Sequence, residues 1–223
     1  MLALLAAACD RQPGREAPAP PNAGDPPPAA SDPQEFIEEL LAARRAGSYR
    51  RIEQLVVSER AAEVVATLRA VDEFLVANRG LCEYVREHVN PGVATWIDQA
   101  YLGGSLEVFS SDVRILSSHE GPDQAEVSFL VDERLPARHA RLVRDGGTWR
   151  YDPGPGYDGA LPRAFAKMAD GLRQLLDDLR SGRVSADEVR RNPQRLLDEL
   201  KLRLSPGVRM LPRPPESSQP SGG

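Results

Sequence analysis

Histidine, cysteine, lysine and aromatic residues are all scarce in this chain, and each shortage narrows what it can do. Three histidines (His88, His119, His139) and two cysteines (Cys9, Cys82) show none of the usual ligand spacings. There is no His-Glu-x-x-His, no paired Cys-x-x-Cys and no Asp-rich calcium loop. Aromatic residues make up 5%, which leaves few stacking platforms. Lysine occurs only at Lys167 and Lys201, and the net charge of −5 with pI near 5.4 argues against nucleic acid, because phosphate binding needs clustered positive charge. No run approaches the ~20 apolar residues of a spanning helix. What remains is an ordinary 41% hydrophobic, 27% charged chain with proline-rich ends, so roughly 170 of its 223 residues are able to fold.

The N-terminus carries the clearest signal. Met1-Leu-Ala-Leu-Leu-Ala-Ala-Ala-Cys9 is apolar, too short to span a bilayer, and ends in small residues directly before a cysteine. It resembles the lipobox of bacterial lipoproteins, with Ala6 where that class usually has a larger aliphatic residue. The resemblance implies cleavage before Cys9 and attachment of palmitate-class acyl chains to it. At about 0.8 kcal/mol per buried CH₂, two or three such chains hold a protein at a membrane. The implied location is the bacterial cell envelope, facing the periplasm or the exterior. With Cys9 acylated, Cys82 has no intrachain partner and is expected to be a small buried residue on a helix.

Residues 10–32 are mostly proline, alanine, glycine and charge, which is expected to give a disordered leash up to roughly 70 Å long at about 3.1 Å per residue. Residues 33–157 should form one α+β domain, 158–204 a helical unit, and 205–223 a second disordered tail. Asp32 caps and Pro33 opens a helix carrying Phe36, Ile37, Leu40 and Leu41, and Gly47 stops it. Ser48 starts a second helix with Ile52, Leu55 and Val56. A third begins near Glu59 with Val64, Val65, Leu68, Val71 and Leu75 on one face. Gly80 is expected to interrupt it, with a further piece over 81–89 ended by Pro91-Gly92, and another turn or two around Trp96, Ile97 and Tyr101.

The period then becomes two. Leu106, Val108, Val113 and Ile115 predict one strand broken near Ser110, and Ala125, Val127, Phe129 and Val131 a half-buried second. A third spans 136–144 and a fourth 148–152, joined by Asp145-Gly146 as a two-residue turn. That turn sets Leu142 opposite Trp149, Ala140 opposite Tyr151, Arg141 opposite Arg150 and His139 opposite Asp152. Helices followed by an antiparallel meander ending in Asp-Gly-Gly-Thr-Trp-Arg-Tyr, with the opening Pro33-Gln-Glu-Phe-Ile-Glu-Glu-Leu-Leu, resemble the nuclear transport factor 2-like (cystatin-like) cone over residues 33–153. The resemblance implies N-terminal helices packed on a curved four-stranded antiparallel sheet. A C-terminal helical hairpin follows: Leu161, Phe165, Met168, Leu172, Leu175 and Leu179 form one seam, and Leu196, Leu197, Leu200 and Leu204 the next helix. The hairpin would pack on the sheet or on itself, or offer its seam to a partner.

Candidate chemistry is thin. Cys82, Glu83, Glu87 and His88 are close in sequence, but Cys82 and His88 point about 120° apart on a helix, so no metal is expected. His139 beside Asp152 is either a general-base pair or a surface ion pair. Enzymes resembling the cone place an acid or base inside it, yet of the inward positions only Tyr151 can exchange a proton. Gly154-Pro-Gly156-Tyr-Asp-Gly159 matches Gly-x-Gly-x-x-Gly by letter, but it contains a proline, follows the last strand of a meander and lacks the lysine of a phosphate loop, so it reads as a connector. No cofactor is expected. Two functions follow: a non-catalytic envelope module that binds a protein or small apolar ligand, or a small isomerase- or dehydratase-like enzyme with a pocket residue among Tyr84, Asp98 and Tyr101.

Overall fold

A computed structural model describes residues 32–98, 106–110, 112–154 and 159–211. Within them the architecture is α+β, with N-terminal helices, a four-stranded antiparallel sheet in the order β1-β2-β3-β4, and C-terminal helices. Helix α1 (Pro33–Arg45) starts as expected: Asp32 accepts a hydrogen bond from the Gln34 amide at 2.6 Å, and Pro33 takes the first helical position. Gly47, at φ +63°, turns the chain into α2 (Tyr49–Leu55). Two of the expected helical pieces are in fact one. Helix α3 (Ser58–His88) runs without a break through Gly80 and ends just before the Pro91-Gly92 pair, as expected; α4 (Pro91–Asp98) begins at that pair and carries Trp96 and Ile97. A helical glycine costs about 1 kcal/mol relative to alanine, little against the packing that α3 receives on two sides.

Those two sides explain its sequence. The buried residues of α3 spread over more than half its circumference, including Val64, Leu68, Val71, Phe74, Leu81 and Val85. A surface helix shows one narrower stripe. Leu75, expected on the buried face, is 40% exposed, and Phe74 takes the place in the core.

The sheet holds three corrections. Residues Glu107–Phe109 form a 3₁₀ turn, not the start of a strand, and Val108 and Phe109 are both buried there. Strand β1 (Val113–Glu120) follows, then β2 (Gln124–Val131), β3 (Arg134–Asp145) and β4 (Thr148–Asp152). The β3–β4 turn is Gly146-Gly147, with φ of +59° and +83°, instead of Asp145-Gly146. The register is therefore displaced by two: Leu142 faces Tyr151, Arg144 faces Trp149 and Arg141 faces Asp152. A shift of two keeps every side chain on its expected face. It also removes the anticipated Arg141–Arg150 repulsion. The outer edge of β4 is covered in part by the chain between α2 and α3, where the Val57 amide donates to the Tyr151 carbonyl at 3.0 Å.

The first C-terminal helix lies against α3 and not against the sheet, and the last packs on the first, so the hairpin closes on itself as one of the expected arrangements had it. Phe74 meets Phe165 edge-on at 6.0 Å, Gly80 lies beside Leu176, and the Tyr84 hydroxyl reaches the Leu179 carbonyl. These contacts rise together along both helices, so α5 (Ala160–Arg180) runs parallel to α3. Phe165, Met168, Leu172, Leu175 and Leu179 are at most 3% exposed, so the seam is filled by this chain itself and is not left for a partner. After α6 (Ala186–Arg191), capped by Ser185 on the Glu188 amide, α7 (Gln194–Val208) returns antiparallel to α5. A Cβ on Gly171 would lie 2.6 Å from the Arg203 carbonyl oxygen, and one on Gly207 would lie 2.6 Å from that of Ala164. This close crossing carries α7 through Ser205-Pro206-Gly207, where a disordered tail was expected to begin. Asp178, 8% exposed, locks the end: it accepts from Arg183 and, at 2.5 Å, from Arg203 of α7.

Candidate functional site

The inner face of the sheet is built from side chains at alternate positions on three strands. Ala125, Val127, Phe129, Val131, Ala140, Leu142, Trp149 and Tyr151 all fall there as the alternation predicts, none more than 6% exposed. Tyr151 is the one among them with an ionisable group, and its ring stands edge-on to Phe109 at 5.5 Å. At the hairpin end, the Arg144 guanidinium lies 4.3 Å over the Trp149 ring and donates to Glu120 at 2.7 Å, closing the layer from that side. The Ser110 hydroxyl is buried and has no hydrogen-bond partner among the described residues. Of the three residues proposed for a pocket from the helical side, Tyr101 lies outside the described residues, as does the side chain of Asp98; the third, Tyr84, is elsewhere.

Tyr84 projects from α3 towards α5. Its ring is stacked on His88 at 4.4 Å, with the Arg180 guanidinium 5.8 Å from its centre. It is a helix–helix contact, not a lining of the sheet. Cys82 on the same helix is buried, as expected. Among the described residues no three His, Cys, Asp or Glu side chains converge as metal ligands. Gly154, at φ +65°, donates its amide to Asp152 at 2.9 Å and so begins a turn; residues 155–158 of the glycine motif lie outside the described residues.

The outer face is polar and salt-laced. The expected His139–Asp152 pair does not form, because the two-residue register shift sets Asp152 against Arg141, 3.5 Å away. His139 instead lies beside β2, with Nδ1 3.0 Å from Glu126 Oε1 and 3.2 Å from Ser128 Oγ. Serine, histidine and carboxylate are thus together by type, but both partners approach the same ring nitrogen. A proton relay needs them on opposite nitrogens. His139 and Glu126 are each more than half exposed, which is the condition of a surface ion pair. The pairing was hidden from sequence reasoning because β3 spends two residues more than β2 between the Val131–Arg134 and Phe129–Arg138 pairs.

The most strongly coupled charges lie apart from the sheet. Asp72 on α3 accepts both terminal nitrogens of Arg44 from α1, at 2.7 and 2.5 Å, and the hydroxyl of Tyr49 from α2. Burial alone would raise the Asp72 pKa, but the bonds from Arg44 and Tyr49 outweigh it and hold the carboxyl below its ordinary range. Burial, with the carboxylate's acceptance of its proton, pushes the Tyr49 hydroxyl up. The cluster pins the α1–α2 corner to α3. A separate concavity, an open polar groove of about 350 Å³, lies between α2, the start of α3 and the β3–β4 turn, lined in part by Arg51, Glu53, Ser58, Asp145 and Arg150. Arg51 is held there by Glu39 and Gln54, and Arg150 lies 3.8 Å from Asp145.

No protein-family model matches the chain, and no curated protein or solved structure matches it either. Among the described residues no helix is long and apolar enough to cross a membrane.

Proposed function

We propose that this is a lipid-anchored protein of the bacterial cell envelope, held through acylated Cys9, whose folded unit is a non-catalytic module for binding a protein or a small apolar ligand. The observation that carries the reading is the apolar run ending in Ala-Ala-Ala-Cys9, followed by a proline-rich stretch up to the capped start of α1 at Asp32. Order and topology, with helices first and a β1-β2-β3-β4 meander after, support placing the domain with the nuclear transport factor 2-like cones. The apolar filling of the sheet's inner face supports a binding role over catalysis. Mass spectrometry of the protein from its own cells tests the anchor: the expected N-terminus is acylated Cys9 with residues 1–8 removed. An unacylated cytosolic chain overturns it. Capture on the full chain from solubilised envelope tests the role. Turnover of a small carbonyl or hydroxyl substrate that is lost in Tyr101→Phe or Asp98→Asn, with the fold intact, would transfer the protein to the isomerase class.

A further inference from the structure

We draw no further inference here: the strongest candidate, the open polar groove between α2, the start of α3 and the β3–β4 turn, is lined by Arg51, Glu53, Asp145 and Arg150, whose opposite charges balance and whose arginines already lie against carboxylates, and nothing in the structure shows what occupies it.

Discussion

The two faces of the sheet are made by the same four strands and obey different physics. Inward, Val127, Phe129 and Leu142 are fully buried in a core they share with α1, α2 and α3, where any lost atom leaves a void. Outward, the rows His119–Glu126–Arg141–Asp152 and Ser117–Ser128–His139 cross the strands in direct register, with charges answering one another in water. One face has stability concentrated in it. The other is free to change at little cost to the fold, so it is where contacts with another molecule could be altered without unfolding. Phe129→Ala is the strongest test of the first half: truncating this ring should cost about 3–5 kcal/mol, read from urea or thermal unfolding. A loss below 1 kcal/mol would mean that the inner layer is loosely packed or holds solvent.

Charge is not weak everywhere in this molecule, and Asp72 sets the contrast with the outer face. Its Arg44 partner is only 13% exposed, and its bonds join three helices. Asp72→Asn should cost about 1–3 kcal/mol, since Arg44 is left partly buried without its counter-charge. The sign of the pH dependence follows from the lowered pKa. The unfolded carboxyl titrates near its ordinary value, about 4, and the folded one below it, so the stabilisation is fully present above that range and is lost as the pH falls through the folded value. Asp72→Asn should therefore flatten the acid limb of a stability–pH curve. Asp178, whose carboxyl is likewise lowered by its bonds from Arg183 and Arg203, accounts for slope that persists. An unchanged acid limb would place Asp72 in water.

The hairpin turn between β2 and β3 tests how the two faces are kept in register. Asp132 and Glu133 both take positive φ, at 51° and 58°, a conformation that costs a side chain about 1 kcal/mol or more. Glu133→Gly relieves that strain, and gives up an exposed ion pair with Arg114 and some unfolded-state rigidity. A net gain of about 0.5 kcal/mol is expected in chemical denaturation. A loss larger than that would show the Arg114 contact to be worth more than surface pairs usually are.

What could be read in the sequence was whatever local period and local caps determine. Asp32 and Gly47 mark the two ends of α1 correctly because a cap acts over three or four residues, and the alternation in β2 and β4 gave the inner face residue by residue. Three adjacent residues, Asp145-Gly146-Gly147, offer two positive-φ turns, and choosing between them takes more than the turn itself. The error of two in the β3–β4 register kept the faces and changed the partners, which is why the apolar layer was foreseen and the Arg141–Asp152 pair was not. Asp72, Arg44 and Tyr49 are separated by 23 and 28 residues and no periodicity connects them. The α5 seam was visible as a seam; that α3 fills it was not, because the stripe read from Val64 to Leu75 marks only one of the two buried sides of α3, and no local signal pairs helices this far apart in sequence.

The smallest effect expected is also the one that bears most on function. Glu126 and His139 are 60% and 54% exposed, so their attraction is screened by water and offset by the freezing of two side chains. Glu126→Ala should change unfolding free energy by no more than about 0.5 kcal/mol. The value matters less than its dependence on conditions. If the outer face is open in solution, the effect is small at every protein concentration. Suppose instead that Glu126→Ala costs over 2 kcal/mol, and that the cost grows with concentration. The pair must then be desolvated by a second copy lying on the sheet, and the contrast between the two faces would hold for the monomer alone.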